Sequence, residues 1–249
     1  MERAFRGVVE GQAPRTGAAP GPGRAVRARR AFQWAALAAA GVLVWQAFAG
    51  PDFAPRNLTT VAVWVHWRGL LILTLLAAGN LFCAACPFTL VRDLARRFTA
   101  PARRWPRALR TKAPALVLFA FILFAYERWG LWSSPVLTGS LILAYFAAAL
   151  AADAAFAGAP FCKWVCPLGQ FNFAASALSP FEVSAKDLSV CAGCRTKDCL
   201  RGRREGGLVV LRGCELGLFL PRKVGNMDCT FCLDCVAACP ADNVGLRAR

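Results

Sequence analysis

Histidine and acidic side chains are what this sequence has least of. His66 is the single histidine in 249 residues. A haem b held by two histidines cannot be built within the chain, and no C-x-x-C-H run offers covalent haem attachment, so haem is excluded as its own cofactor. Asp and Glu number 14 against 30 Lys and Arg, leaving a formal net charge of +16. So basic a chain could bind nucleic acid, anionic lipid or an acidic partner, and the placement of the basic residues decides among these. Charged residues make up only 18% of the chain and hydrophobic ones 57%. That balance excludes an ordinary soluble protein.

Apolar runs account for the imbalance. They extend over Ala31–Ala49, Val61–Phe82, about Pro114–Tyr126 and about Val136–Ala157, and each reads as a membrane helix, the third being short in strictly apolar residues. Residues 1–30 are rich in Arg, Gly, Pro and Ala and read as a disordered basic arm. The Ala47-Phe48-Ala49 triplet also resembles a signal-peptidase site, but the long arm and long apolar core favour a retained span.

Basic residues track these spans. The arm holds seven Arg. The loop between the second and third spans holds Arg92, Arg96, Arg97, Arg103, Arg104, Arg107, Arg110 and Lys112, while the other two loops hold only Arg56 and Arg128. The bias predicts both termini in the cytoplasm of a bacterial inner-membrane, multi-pass protein. Trp45, Trp64, Trp67, Trp129 and Trp132 then fall at the outer interface, and Trp34 and Trp164 at the inner one. The 92–112 loop reads as a topology signal lying on anionic lipid. Nucleic acid is not an expected partner of a chain anchored this way.

Two of the spans end alike, in Phe82-Cys83-Ala84-Ala85-Cys86-Pro87 and Phe161-Cys162-Lys163-Trp164-Val165-Cys166-Pro167. Apolar-patterned segments follow each, over Phe88–Phe98 and Leu168–Leu178. This is the pattern of two parallel hairpin repeats about an axis along the membrane normal. Taken alone, each cysteine pair is open to three readings: a redox dithiol, half of a metal site, or small apolar residues. Together, Cys83, Cys86, Cys162 and Cys166 have the ligand count of one cluster or one zinc ion.

The remaining eight cysteines carry the sharpest signal. Cys229-x2-Cys232-x2-Cys235-x3-Cys239-Pro240 is the run in which three thiolates bind one cubane and the fourth reaches a neighbouring one. Upstream lies a stretched version, Cys191-x2-Cys194-x4-Cys199, with Cys214 after fourteen intervening residues and Glu215 in place of the proline. The crossed pattern would give one 4Fe–4S cluster to Cys191, Cys194, Cys199 and Cys239. The other would go to Cys229, Cys232, Cys235 and Cys214. For the irregular group, loss of its cluster or a bound zinc stays open.

Paired Cys-Pro motifs after membrane hairpins, followed by a ferredoxin-like domain, resemble the NapH/NosR/CcoG-type membrane polyferredoxins over about residues 31–245. NapH-type quinol-oxidising membrane subunits are nearest in layout. The first pair departs from the family in having two intervening residues rather than three. The expected fold is a mainly α membrane protein, a four-helix transmembrane bundle over 31–180 built of two hairpin repeats. A small α+β domain for two 4Fe–4S clusters follows over 181–249. The resemblance implies single-electron transfer between a membrane donor or acceptor, quinol foremost, and a cytoplasmic or membrane redox protein. A metal reductase or assembly factor for a respiratory enzyme, and an iron–sulfur redox sensor, are the alternatives. His66 and Glu127, near the outer side, are candidate quinol-site residues, although His66 can equally hydrogen-bond at the interface while Arg68 snorkels.

Overall fold

The computed structural model describes residues 24–99, 103–206 and 208–248. Most of the expected basic arm lies outside these residues. Its last part does not stay an arm: helix α1 runs over Arg24–Ala49. Arginine is a good helix former, and tertiary partners hold this end. Arg29 pairs with Asp234 at 2.9 Å and also donates to the Cys232 carbonyl, while buried Gln33 donates to Ala84 O at 2.8 Å.

The chain reverses at Asn57, which is fully buried. Its amide donates to Gln46 O and Pro51 O, both at 2.9 Å, and its Oδ1 caps Thr59 N at 2.9 Å. An N-cap of this kind contributes about 1 kcal/mol. A continuous helical run follows: α2 (Leu58–Val61), a π-helical turn (Ala62–His66) and α3 (Trp67–Ala78). It stops at Gly79, whose φ of +83° suits glycine. Helix α4 (Leu81–Ala85) carries Cys83, and α5 (Phe88–Phe98) begins just after Pro87.

Helix α6 (Ala113–Arg128) and helix α7 (Pro135–Ala155) come next. A second π-helical turn (Phe161–Val165) then leads into α8 (Pro167–Ala175). Three helical runs are long and apolar enough to cross a membrane: Val26–Ala49, Leu58–Ala78 and Pro135–Ala155. The expected third span corresponds to α6, whose 16 residues reach roughly 24 Å at 1.5 Å per residue. That falls short of a hydrocarbon core about 30 Å thick. The described residues show three long apolar helices, and a four-helix bundle is not shown. Helix α7 lies against α1 and α5, while α6 lies against α8 and the second π turn.

The two repeats exchange their short helices. Helix α5 of the first packs on α7 of the second, and α8 of the second packs on α3 of the first. Phe88 anchors one exchange, with rings 4.7 Å from Phe146 and 5.7 Å from Phe161.

The cysteine-rich C-terminal part is α+β. Strand β1 (Phe181–Ala185) pairs antiparallel with β4 (Val244–Ala248), in register from Phe181 opposite Ala248 to Ala185 opposite Val244. A hairpin joins β2 (Arg203–Glu205) to β3 (Leu208–Leu211). Short helices α9 (Leu188–Gly193), α10 (Asp198–Arg201) and α11 (Asp234–Ala238) complete it. Its core holds Val183, Leu220, Phe231, Cys235 and Val244, and Ala84 of α4 is buried in the same cluster. The membrane part and the C-terminal part thus share a core.

Candidate metal centres

The eight C-terminal cysteines are drawn into two sets around two cavities. Cys214, Cys229, Cys232 and Cys235 line one, together with apolar Val183 and Leu220. Cys191, Cys194, Cys199 and Cys239 line the other, with Phe219 and Val244. Local backbone explains the grouping. Asp228, Phe231 and Leu233 all take positive φ, between 55° and 60°. These left-handed residues wrap the chain round Cys229 and Cys232 before α11 presents Cys235. Cys239 leaves the helix in an extended conformation, and Pro240 cannot continue it. A hydrogen bond from Cys214 N to Cys199 O at 2.9 Å ties the two sets together.

Donors point at the sulfurs. Leu218 N lies 3.4 Å from Cys214 Sγ, and Asn243 N lies 3.3 Å from Cys239 Sγ. The Asn243 amide reaches Cys191 Sγ at 3.3 Å. Burial pushes the Cys199 thiol up to about 11 and Cys232 to about 12, and raises Cys235 further. A desolvated thiolate is costly, and a cationic core bound to the sulfurs removes that cost with release of protons. Among the described residues, no three His, Cys, Asp or Glu side chains are close enough to hold a single metal ion. Tetrahedral zinc with Zn–S bonds near 2.3 Å needs sulfurs only about 3.8 Å apart. Thiols that flank a cavity fit a polynuclear cluster better.

The two membrane-side cysteine pairs lie in neighbouring parts of the fold, with Phe88 packed in the cluster that holds Cys162 and Cys166. Cys83 and Cys86 sit ahead of α5, and Cys162 and Cys166 ahead of α8. Cys166 caps α8, accepting from Gly169 N at 3.3 Å. Asn172, on α8 of the second repeat, donates to Cys83 Sγ of the first at 3.3 Å. Burial raises all four thiols, Cys83 to about 11 and Cys166 to about 12, and charge on Cys166 would be felt by Cys86 and Cys162. Asn80 links this group to the C-terminal part. Its Oδ1 caps Cys83 N at 3.3 Å and its amide donates to Cys229 O at 2.8 Å.

Two stretches of the chain, residues 60–107 and 140–177, match a family model described as a 4Fe-4S binding domain. The chain is similar to that family. The matched stretches contain Cys83, Cys86, Cys162 and Cys166 and stop before Cys191. An uncharacterised protein of the archaeon Methanocaldococcus jannaschii is 24% identical over 167 residues, which is 65% of this chain. The match spans 62% of that relative's length. No solved structure matches.

His66 lies at the end of the first π-helical turn and Glu127 near the end of α6. Both side chains are exposed, and among the described residues neither makes a hydrogen bond or ion pair. Arg68 is the side chain engaged here, its guanidinium lying 5.2 Å over Trp64 and 5.6 Å over Tyr126.

Sequence reasoning missed the charges nearest the thiols. Arg92 reads in the sequence as part of a lipid-facing basic loop, yet its side chain is only 7% exposed and pairs with Glu215. Arg96 reaches Glu215 at 3.1 Å, and Arg212 reaches Asp93 at 2.6 Å. The one available signal was Glu215 itself, standing where the cysteine run otherwise has proline. Asn80 and Asn172, both fully buried, gave no signal beyond lying near the Cys-Pro motifs.

Proposed function

We propose that this protein is a membrane-bound iron–sulfur electron carrier that passes single electrons between a membrane-soluble hydroquinone and a redox protein at the cytoplasmic face. The observation that carries this reading is the sorting of eight cysteines into two four-thiol cavities, each fed by both halves of the C-terminal sequence. Cys191, Cys194, Cys199 and Cys239 would hold one 4Fe–4S cluster, and Cys214, Cys229, Cys232 and Cys235 the other. Bound there, the clusters supply one-electron chemistry without proton or group transfer at the sulfurs.

The residues around them do the rest. Val183, Leu220 and Val244 exclude water from the thiols. Asn243 and the Leu218 amide donate to sulfur, which stabilises added negative charge and so favours the reduced state. Asn80 and the Arg29–Asp234 pair hold the C-terminal part against the helices, keeping its thiols next to the bilayer instead of on a loose tether. The Lys/Arg bias supports a cytoplasmic C-terminus, and the similarity to a 4Fe-4S binding domain supports iron–sulfur chemistry.

The test uses the whole protein, purified without oxygen and embedded in liposomes. Addition of a short-chain hydroquinone should bleach the visible iron–sulfur absorbance, and a quinone should restore it. Absorbance that responds to dithionite but never to hydroquinone would remove the hydroquinone from the reading. Oxidation by metal ions in its place would favour a metal reductase, and protein without reducible absorbance would end the carrier reading altogether.

A further inference from the structure

The two C-terminal cavities are joined to the rest of the molecule differently. The cavity of Cys214, Cys229, Cys232 and Cys235 sits at the joint with the helices: Asn80 donates to Cys229 O at 2.8 Å, Arg29 to Cys232 O, and Lys163 to Leu216 O. The cavity of Cys191, Cys194, Cys199 and Cys239 lies outside that joint, and among the described residues no hydrogen bond or ion pair links its lining to α1–α8. Its wall is open instead. Val190 of α9 lines the cavity and is 37% exposed, and Leu188 on the same helix is 61% exposed. Lys197 completes the rim, its ammonium 5.2 Å over the ring of Phe219, which lines the cavity as well.

Charge at this rim is one-sided. Arg195, Arg201 and Arg204 are exposed, and neither they nor Lys197 form an ion pair among the described residues. Most carboxylates beside them are already engaged. Asp187 accepts from Ser189 N at 2.8 Å, Asp242 holds Lys186 at 3.3 Å and Glu205 holds Arg203 at 2.9 Å. Between residues 186 and 205 that leaves Asp198 against the unpaired cations.

We infer that the exposed rim formed by Leu188, Val190, Arg195 and Lys197, followed in the chain by Arg201 and Arg204, is the docking surface for a small acidic one-electron carrier protein. An apolar centre with a charged edge is the make-up of a protein interface. Unpaired cations attract an acidic partner and set its approach. Redox encounters are small and short-lived, so a patch of a few residues suffices. Lipid is the weaker occupant, because this cavity is the one without contacts to the membrane helices. This docking rests on the carrier reading and names its cytoplasmic partner by charge. One electron crosses at the site of Cys191, Cys194, Cys199 and Cys239, lost by whichever of the two proteins is reduced and gained by the other, with no bond made or broken.

The test uses the whole protein, purified without oxygen in nanodiscs of neutral lipid, with an acidic flavodoxin as the probe. Equilibrium binding should weaken about tenfold between roughly 0.01 M and 0.15 M ionic strength, as the screening length contracts from about 30 to 8 Å. Arg195→Glu/Lys197→Glu should weaken it by about tenfold or more at low salt. Arg104→Glu, at an exposed position in the loop before α6, should leave it unchanged. Amide hydrogen exchange over residues 188–197 should slow when flavodoxin is added and should be equal in neutral and anionic discs. Slowing by anionic lipid instead of flavodoxin would give the surface to the membrane and overturn the inference, as would absence of flavodoxin binding. Flavodoxin that is reduced through the protein, yet binds the double variant as tightly as wild type, would overturn the docking and leave the carrier reading standing. Binding with the expected salt and charge dependence to a protein without reducible absorbance would keep the acidic partner and end the carrier reading. Should the double variant fail to fold, Arg195→Gln, at an exposed position, gives the same readout in smaller measure.

Discussion

Replacing Glu215 by Gln should be among the most damaging single changes outside the cysteines. The carboxylate faces Arg92, whose side chain is 7% exposed, and Arg96 at 3.1 Å, with Arg212 at 3.8 Å. Breaking a buried ion pair by removing one partner costs about 3–5 kcal/mol, because the other charge stays buried. Glu215 keeps 18% exposure and Arg92 retains Asp93 at 4.0 Å, which places the cost near ~3 kcal/mol, at the low end of that range. Arg212 loses little, since Asp93 holds it at 2.6 Å. For a chain of this size, such a loss lowers the unfolding midpoint by about 6–12 °C. Tryptophan emission during heating of the detergent-solubilised protein reads this midpoint. The double variant Arg92→Met/Glu215→Gln removes both charges together. It should be less destabilised than the sum of the single variants by about 1–3 kcal/mol. Additive effects within about 0.5 kcal/mol, or a Glu215→Gln midpoint equal to wild type, would refute the buried pair.

Other expectations follow from the same geometry. Cys239→Ser should perturb the resonance of the centre held by Cys191, Cys194 and Cys199 more than that of Cys229, Cys232 and Cys235; an effect confined to the latter would refute crossed ligation. Gly79→Ala should destabilise the protein by about 1–3 kcal/mol in the same heating assay, since the new Cβ would fall 2.9 Å from the Phe231 ring and from Ser179 Oγ. A variant as stable as wild type would show that this junction is not closely packed. Reporter fusions after residues 100 and 249 should read cytoplasmic and fusions near 54 and 131 periplasmic. A periplasmic reading at the C-terminus would move the redox partner to the other side of the membrane.

What could be read in the sequence was local. The spacing of Cys229, Cys232, Cys235 and Cys239 predicts a tight loop with its fourth cysteine turned away, and Cys239 lines a different cavity from the other three. The apolar runs likewise marked three long helices. What could not be read depended on partners far along the chain. Helix α1 starts earlier than its apolar run because Arg29 is held by Asp234 and Cys232 O, and a flank of arginines looks the same whether lipid or protein receives it. Arg92 was misread for the same reason, since Glu215 is a distant residue in sequence. Helix α6 is shorter than the three long helices because its apolar stretch is bounded closely by Lys112 and Arg128.

The exchange of α5 and α8 between the repeats bears on how the chain is made. A nascent protein synthesised as far as Arg128 already has α5 but no α7 for it to rest on, and α3 still waits for α8. Neither repeat is a finished unit, so the first half cannot mature ahead of the second. The membrane-side thiols acquire their full set only once Cys166 has left the ribosome, after the last long apolar helix. Packing at that place is therefore a late event, and until then Cys83 and Cys86 stand without the second pair.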